Sequence, residues 1–414
     1  MEPVLVQKYG GTSLSDAERL SVCADRAAKA ASSNRLVVVV SAMGDTTNWL
    51  LNLAKSISST PDRGALDLLL ATGELVSASL MSIALQERGI KAVPMAGADA
   101  GIVTNETHGR ARIRSVESTR MLDLLDRGMV PVVAGFQGIS SDGKITTIGR
   151  GGSDTSAVAI AAALGAAETG GRCEIYTDVD GVHTADPRLV KDARLIEGIS
   201  VDEMLELASL GAGVLQERAI ILARRFEVPL KVMHSQHEGP GTMVLRETPE
   251  MERNPVVGCA LRTELGRVAI DGIPKGANIQ AQLFRGLAEA SLMVDDIVQT
   301  EDQHQLAVAF TVEHADLADA RTVARDTLSS LGCQDATVDV EIGLAKLSVV
   351  GTGMRSHVGV AAGMFEALEE AGVPILNITT SEIRISCLVP HDKGAAGLQA
   401  LHDAFGLAHV PAER

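Results

Sequence analysis

A short segment near the N-terminus places a lysine and two glycines at the end of an apolar run. In "VQKYGGTSLSDAERL", residues 6–20, the run ends in Lys8-Tyr9-Gly10-Gly11, and signals for a helix start follow. Glycines let the backbone approach a ligand closely, and the N–H groups of a helix N-terminus attract anions. A lysine ammonium beside them can hold a phosphate. The segment indicates an anion site, although an ordinary tight turn with a solvated lysine shows the same pattern.

A second glycine-rich loop adds an arginine and a carboxylate. In "TTIGRGGSDTSAVAIAAALGA", residues 146–166, a strand pattern ends at the loop and an alanine-rich helix pattern begins after it. Arg150 suits a bidentate grip on a carboxylate or a phosphate. Asp154 has two interpretations, because it is placed either to do chemistry or to cap the helix.

Other segments give weaker signals. Residues 176–190, "YTDVDGVHTADPRLV", lack the glutamate that a calcium loop needs. Residues 138–144 match G-x-x-x-x-G-K, but Ile145 stands where a P-loop requires Ser or Thr. Asp142-Gly143 within them predicts a β-hairpin instead. We assign no metal ligand from the sequence.

The elements that must position these loops alternate along the first 235 residues. Such alternation is typical of α/β folds with a mostly parallel sheet between helices. Apolar runs predict strands at residues 4–6, 36–40, 130–134, 174–177 and 230–232. Periodic patterns predict helices at residues 17–31, 64–88, 116–127, 155–164 and 201–224, the first with a capping box of Ser15 and Glu18.

The C-terminal part of the chain differs in composition and contains an internal repeat. A polar segment rich in turn residues, 246–263, reads as a linker. Beyond it, "VAIDGIPKGANIQAQLFRGLAEA" and "LSVVGTGMRSHVGVAAGMFEALEEA" are similar segments about 81 residues apart. Each segment predicts a strand, a loop, a helix and further strands, so the pattern indicates two successive copies of a small βαββαβ unit.

Composition narrows the class of protein. The net charge of −16 argues against nucleic acid or an anionic membrane as the main partner, and no apolar run reaches the roughly 18 residues of a membrane span. The five cysteines are scattered without a CxxC pair, which predicts buried thiols in a reducing cytoplasm.

Several motifs together resemble one family. "KYGGTS", "VVVVSAMGDTTN", "LLATGE", "GFQG", "GRGGSDT", "YTDVDG" and "TADPR" occur in the order found in aspartate kinases, and "GTGM" and "TSEIRIS" fit the second repeat. The chain therefore resembles the aspartate kinases of the amino acid kinase superfamily, with two C-terminal ACT domains. The resemblance implies an α/β/α kinase domain at 1–245, a linker at 246–263, and ferredoxin-like ACT domains at 264–340 and 341–414.

The resemblance also implies an activity and a set of site residues. The expected reaction transfers the ATP γ-phosphoryl group, with Mg²⁺, to the β-carboxylate of L-aspartate, opening the route to lysine, threonine and methionine. Lys8 and Asp154 would be catalytic. The residues expected to hold aspartate are Ser41, Thr47, Glu74, Phe136, Arg150, Gly151, Gly152 and Ser153. Those expected to border the nucleotide are Lys8, Tyr9, Gly10, Gly11, Thr177, Asp178, Asp180, Val182, His183 and Arg188.

The chain departs from the family pattern mainly at the expected effector site. Its members would be Lys275, Asn278, Gln299, Thr300, Ile375, Thr380, Ser381 and Glu382. Lys275 lies in the turn where relatives carry an aspartate that binds an ammonium, Ala307 replaces another aspartate, and Pro374 replaces an asparagine. A lysine repels an ammonium. We expect feedback by lysine and threonine to be weakened, lost or retuned. Elsewhere, His183 replaces a tyrosine and Gly213 a lysine.

Three alternatives stay open at this point. The acceptor could be glutamate, N-acetylglutamate or a related acid; it could be an aspartate analogue; or the chain could be a non-catalytic amino-acid sensor. Glu74 with Arg150 favours a free amino acid, and intact Lys8 and Asp154 argue against a sensor. We expect a cytoplasmic homodimer formed through the ACT domains. An α2β2 assembly, with a second subunit started at Met251, is the other possibility.

Overall fold

The computed structural model describes residues 2–246, 255–276, 278–302, 305–355 and 357–408. These residues form two compact units. The first comprises residues 1–183 and 195–251, and the second comprises residues 184–194 and 252–414. The segment 184–194 thus leaves the region predicted as the kinase domain and packs within the second unit. Met251, proposed as an internal start, lies outside the described residues.

The first unit alternates strands and helices as the sequence predicts. Its elements are β1 Val4–Tyr9, α1 Ala17–Ala31, β2 Arg35–Val40, α2 Thr46–Ile57, α3 Arg63–Glu87, β3 Ala92–Met95, β4 Ile102–Thr104, β5 Ile113–Val116, α4 Thr119–Asp126, β6 Val130–Ala134, β7 Gln137–Ser140, β8 Ile145–Thr147, α5 Gly152–Ala163, β9 Arg172–Thr177, β10 Gly198–Ser200, α6 Val201–Leu207, α7 Glu217–Arg225, β11 Leu230–His234 and β12 Thr242–Leu245.

The main sheet of this unit has the strand order β10-β12-β11-β9-β1-β2-β6-β3. Its central strands, from β11 to β3, pair in parallel. All five predicted runs lie in this sheet, and they are mostly apolar because helices cover both faces. Glu174 of β9 and Lys231 of β11 are charged exceptions. The predicted hairpin at Asp142-Gly143 is confirmed, since β7 and β8 pair antiparallel around it.

Some local predictions were wrong. Helix α1 is capped by Asp16, whose side chain accepts the N–H of Arg19, so Ser15 and Glu18 form no capping box. The predicted helix 116–127 begins three residues later because residues 113–116 are strand β5. The predicted helix 201–224 is interrupted after α6 by a π-turn at Ala208–Ala212, where Gly211 has a φ of 94°. Helix α2 was not predicted.

Helix α3 is 25 residues long and, by length and composition alone, apolar enough to cross a membrane. No segment of that kind was predicted from the sequence. In this fold its residues Ala78, Met81 and Leu85 pack in a core cluster with Val38 and Val132 of the sheet. A core helix of a globular domain passes the same test of length and composition.

The second unit is built on one antiparallel sheet with the order β14-β15-β13-β16-β18-β17. Its elements are β13 Gly258–Pro274, α8 Ile279–Glu289, β14 Asp295–Glu301, β15 Gln305–Glu313, α9 Leu317–Ser330, β16 Thr337–Val350, α10 Val360–Glu370, β17 Asn377–Thr380, β18 Arg384–Pro390 and α11 Gly394–Ala404. Helices α8 and α9 cover one core cluster, and α10 and α11 cover another.

The two repeats share their central strands. The order from β13 to β16 is the predicted βαββαβ, and α10, β17, β18 and α11 continue it. The second repeat takes its remaining strand from the start of β13, where Gly258 to Arg262 pair with Val350 to Lys346. These residues were predicted as linker. The first repeat is therefore inserted into the second.

Candidate active site

The carboxyl ends of five parallel strands lie side by side in the first unit. Tyr9 of β1 is aligned with Val40 of β2 and with Tyr176 of β9, and the register extends this edge to β6 and β11. In α/β sheets, ligands bind outside the carboxyl ends of the strands. The sheet thus brings together loops that are far apart in sequence, including the glycine-rich loop after β1. The other glycine-rich loop follows β8 of the four-stranded sheet, and it reaches this edge at the start of α5, where Asp154 contacts Lys8.

Lys8 and Asp154 meet at this edge. Lys8 Nζ lies 2.6 Å from Asp154 Oδ1, and both side chains are about nine-tenths buried. The residue that caps α5 is Gly151, so Asp154 is in the first turn and the alternative that it serves as the cap is wrong. A positive group held by a buried carboxylate, next to a helix N-terminus, can stabilise anionic oxygens.

The loop after β1 differs from the prediction in two ways: it does not lead directly into a helix, and Tyr9 is not available to a ligand. A 3-10 turn, Thr12–Leu14, separates it from α1. Tyr9 is completely buried, its hydroxyl donates to Gln7, and its ring stacks on Tyr176. Tyr9 thus belongs to the core. At Gly11 a side chain would meet the carbonyl oxygen of Ala42 at 2.7 Å, so the loops after β1 and β2 approach at backbone contact.

Glu74 is a buried carboxylate with one oxygen unused. It lies on α3 with 3% of its surface exposed, and its Oε1 accepts the N–H of Ala42. Its Oε2 is buried and has no hydrogen-bond partner among the described residues. Desolvation raises the pKa of Glu74 to about 7, against the hydrogen bond from Ala42. A cation that binds beside this carboxylate would stabilise its charged form.

The remaining residues predicted to hold aspartate occupy three loops of the same unit. Ser41 follows β2 and Thr47 lies in the first turn of α2, and both are half-buried. Phe136 follows β6 with a positive φ of 66°. Arg150 is exposed and makes no hydrogen bond or ion pair with the residues that the structure describes. Its guanidinium is available to an anionic ligand.

The loop that carries Arg150 is held in shape by its surroundings. Gly151 has a φ of 68°, and a side chain there would overlap Gln216. Arg218 of α7 donates to the carbonyl oxygens of Ile148 and Ala111. The glycine is therefore required by both conformation and space.

Sequence reasoning missed Asp67, which organises the strand leading to this loop. Its carboxylate, 1% exposed, accepts the N–H groups of Gly109 and Thr147 and the hydroxyl of Thr147, and it lies 2.7 Å from His108 Nδ1. A lone aspartate within the apolar pattern of α3 was the available signal.

The predicted nucleotide residues follow β9. Thr177 donates to the exposed Asp178, and Asp180 is paired with His237 at 3.1 Å. His237 stacks on His234 at the end of β11, with ring centroids 3.7 Å apart. His183 is half-buried, but the side chain of Val182 is buried and its N–H is bound to Thr242. Val182 can therefore help to hold the loop after β9 in place, but its side chain cannot contact a nucleotide.

Arg188 and the predicted effector residues lie in the second unit. Arg188 is exposed and paired with Asp186. Thr380, Ser381 and Glu382 line an open pocket of about 610 Å³ beside Arg355. The other predicted effector residues are dispersed: Lys275 and Asn278 precede α8, Gln299 and Thr300 lie on β14, and Ile375 packs against the core of the second repeat.

Comparison with known proteins agrees with this geometry. Residues 3–234 match the model of the amino acid kinase family, and residues 347–405 match an ACT domain. The chain is 46% identical to an aspartokinase of Geobacillus stearothermophilus over 99% of this chain and 98% of the relative. It is 45% identical to aspartokinase 2 of Bacillus subtilis, with 99% of each chain covered. The chain belongs to the aspartokinase family.

Solved structures show the same likeness in three dimensions. Aspartokinase III of E. coli in complex with aspartate and ADP matches with a TM-score of 0.79 at 27% identity, covering 97% of this chain and 99% of that one. The same enzyme in complex with lysine and aspartate matches with a TM-score of 0.76, also at 27% identity and with the same coverage.

Proposed function

We propose that this chain transfers the γ-phosphoryl group of ATP to the β-carboxylate of L-aspartate, forming 4-phospho-L-aspartate. The relatives at 45–46% identity are aspartokinases over their whole length. The observation that carries the proposal is the buried Lys8–Asp154 pair at the strand ends. In the same unit, Glu74 Oε2 and the Arg150 guanidinium have no partner among the described residues. This reaction is the first step of the aspartate pathway to lysine, threonine and methionine.

The amino acid would be recognised through its two charged α-substituents. Glu74 Oε2, buried and unpaired, suits the α-ammonium group, and Arg150 suits the α-carboxylate. Thr47, Ser41 and Phe136 would border the side chain. An N-acetylated acid has no ammonium group, so it would leave Glu74 buried without a partner, which disfavours that acceptor.

Transfer would rest on positioning and on neutralising charge. Both reactants are anionic, and the carboxylate oxygen attacks phosphorus while ADP leaves with the bridging oxygen. Lys8 would neutralise charge on the moving phosphoryl group. Asp154 would hold the ammonium in place, and the N-terminus of α5, with Gly152 and Ser153, would face the same anions.

ATP would lie over the ends of β9 and β11. Thr177, Asp178, Asp180 and His183 surround that edge, and Gly10 and Gly11 offer close backbone approach beside Lys8. Mg²⁺ would enter bound to the phosphates of ATP, and carboxylates such as Asp178 are the hard oxygen ligands it prefers. We assign no ligand of the ion in this chain.

A hydroxylamine trap tests the acceptor directly, since acyl phosphates react to give hydroxamates. The chain, ATP and Mg²⁺ would be incubated with aspartate, glutamate or N-acetylglutamate. We expect hydroxamate from aspartate and at most traces from the others. Hydroxamate from another acid alone would keep the kinase but overturn the substrate. None from any acid would contradict a kinase and favour the alternative of a sensor.

Assembly, regulation and location are part of the same proposal. The second unit's sheet ends in two edge strands, β14 and β17, which could pair with a second copy to form a homodimer. The E. coli relative was solved in complex with lysine, so amino acids are the class of effector expected for the second unit. The substrates place the enzyme in the cytoplasm.

A further inference from the structure

A histidine and two aspartates outside the kinase site converge in the second unit. His402 and Asp403 are neighbours on α11, and Asp192 lies on the segment 184–194, which belongs to the same unit. One ligand atom of each side chain lies within 4.8 Å of the other two. The two aspartates are exposed, whereas His402 is completely buried.

The buried imidazole is satisfied on one side only. Its Nε2 lies 3.0 Å from the hydroxyl oxygen of Thr184, which also accepts the backbone N–H of Arg194. Its Nδ1 is buried and has no hydrogen-bond partner among the described residues. Asp192 Oδ1 is 3.9 Å away from Nδ1, which is too far for a hydrogen bond. A buried polar atom without a hydrogen-bond partner destabilises the folded protein unless a water molecule or a ligand occupies the space beside it.

The charges around the cluster favour a cation in that space. The carboxylates of Asp192 and Asp403 both lie beside the buried Nδ1 atom of His402 and bring negative charge to it. If Nε2–H donates to Thr184, the lone pair of Nδ1 faces two carboxylates, and a positive ion between them would relieve the repulsion among these groups.

Asp403 is already oriented by a neighbour on its own helix. Its Oδ1 accepts a hydrogen bond from Gln399 Nε2 at 3.0 Å, and its other oxygen has no partner among the residues described. Partners of this kind, like Thr184 on the imidazole, fix the direction of metal ligands.

We propose that His402 Nδ1, Asp192 and Asp403 form a binding site for a divalent transition cation such as Zn²⁺, with water completing the coordination. One imidazole and two carboxylates are a ligand set that suits this class of ion. Ligand distances of about 2.0–2.2 Å require the three atoms to draw together, and the two exposed aspartate side chains can rotate to do so. The ion ties the segment 184–194 to α11.

Cobalt and zinc alone, without ATP or aspartate, test this site on the full chain. The metal-stripped protein would be titrated with Co²⁺, followed by its visible absorption, and with Zn²⁺ by calorimetry. We expect one ion per chain at this site. Asp192→Asn and Asp403→Asn should each weaken binding roughly tenfold or more, since even outer partners of metal ligands contribute 10–100-fold. Asp319→Asn, an exposed aspartate on α9, is the matched control and should bind as the wild type does.

Two results would overturn the proposal. One is no binding of either ion at millimolar concentration. The other is equal binding by the wild type and both aspartate variants, which would place the ion elsewhere in the chain. His402→Gln should also abolish the site, and the exposed aspartate variants decide the matter if it fails to fold. Kinase activity takes no part in these readouts, so they are independent of the proposed reaction.

Discussion

At the scale of single residues, Glu74 is the most informative group of the kinase site. Its carboxylate is buried, and one oxygen lacks a partner among the described residues. An uncompensated buried charge destabilises the ligand-free protein, and an ammonium that pairs with it removes the penalty. The same residue therefore links the stability of the free chain to the binding of its substrate.

Replacing Glu74 by glutamine should separate these two effects. Glu74→Gln keeps the shape and removes the charge, so we expect KM for aspartate to rise by at least tenfold. The free protein should become more stable at pH 8, by on the order of 3 kcal/mol, because the pKa of Glu74 is raised from 4.5 to about 7 and each pKa unit corresponds to about 1.4 kcal/mol. Steady-state kinetics and thermal unfolding measure both. A variant with unchanged KM would contradict the assigned role.

The pH dependence follows from the direction of the shift. The pKa of Glu74 is raised from 4.5 to about 7 in the folded chain. The stability of the wild type relative to Glu74→Gln is thus highest below pH 4.5 and falls as pH rises through 7. Aspartate binding runs the other way, since only the charged form attracts an ammonium. KM for aspartate should rise several-fold from pH 8 to pH 6 in the wild type, and this rise should be absent from Glu74→Gln.

Lys8 should matter for the rate far more than for the fold. Lys8→Met removes the cation beside the phosphoryl group, and we expect kcat to fall by about 10²–10³-fold, as for other groups that stabilise transition-state charge. Because Lys8→Met leaves Asp154 buried and unpaired, the double variant Lys8→Met/Asp154→Asn should recover stability but not activity. Lys29→Met, on the exposed face of α1, is the control. Activity within tenfold of the wild type would contradict a catalytic Lys8.

At the scale of elements, the loop between β8 and α5 depends on one glycine. Gly151→Ala imposes both a positive φ and an overlap with Gln216. Gly128→Ala is a matched control, since Gly128 has a φ of 67° but nothing within 4 Å of an added side chain. Both should lose about 1 kcal/mol of stability from the backbone. Only Gly151→Ala should also lose most of its activity, measured as kcat/KM for aspartate. Equal activity of the two would show that the loop tolerates displacement.

The strands of the main sheet were predictable because burial on both faces makes them apolar without interruption, as at Leu36–Val40. Helix α2 was not predicted. Trp49, Leu53 and Ile57 follow a helical spacing, but all three are exposed, so they do not form the core-facing stripe that marks a helix in the sequence. The alignment of Lys8 with Asp154 could be expected only from the family resemblance. The aspartate in the apolar pattern of α3 is a signal for Asp67, but its partners could not be predicted. They are the N–H groups of Gly109 and Thr147 and the side chains of His108 and Thr147, all far away in sequence.

At the scale of the whole molecule, the shared sheet of the second unit predicts how it can be divided. A fragment of residues 341–408 lacks the strand at 258–262 that pairs with β16. We expect this fragment to be unfolded by circular dichroism, and a fragment of residues 255–408 to show helix and sheet with cooperative unfolding. A folded 341–408 fragment would show that the repeats are independent.

Regulation is also a property of the whole molecule. With Lys275 exposed in the turn before α8, an effector's ammonium meets a like charge. We expect millimolar lysine and threonine, alone or together, to inhibit weakly, and Lys275→Asp to strengthen the effect. Initial rates with and without the amino acids measure this. Strong inhibition of the wild type at millimolar concentration would contradict the expectation.

The central claim is that the γ-phosphoryl group of ATP is transferred to the β-carboxylate of aspartate beside the Lys8–Asp154 pair. It is tested most directly with aspartate labelled with ¹⁸O in the β-carboxylate, followed by release of the product's phosphate with hydroxylamine. Hydroxylamine attacks the carbonyl carbon, so the phosphate keeps the bridging oxygen. We predict one ¹⁸O per phosphate from the wild type, and almost no labelled phosphate from Lys8→Met in the same time. Phosphate without ¹⁸O from the wild type would mean that ATP is hydrolysed by water, and the account would be contradicted.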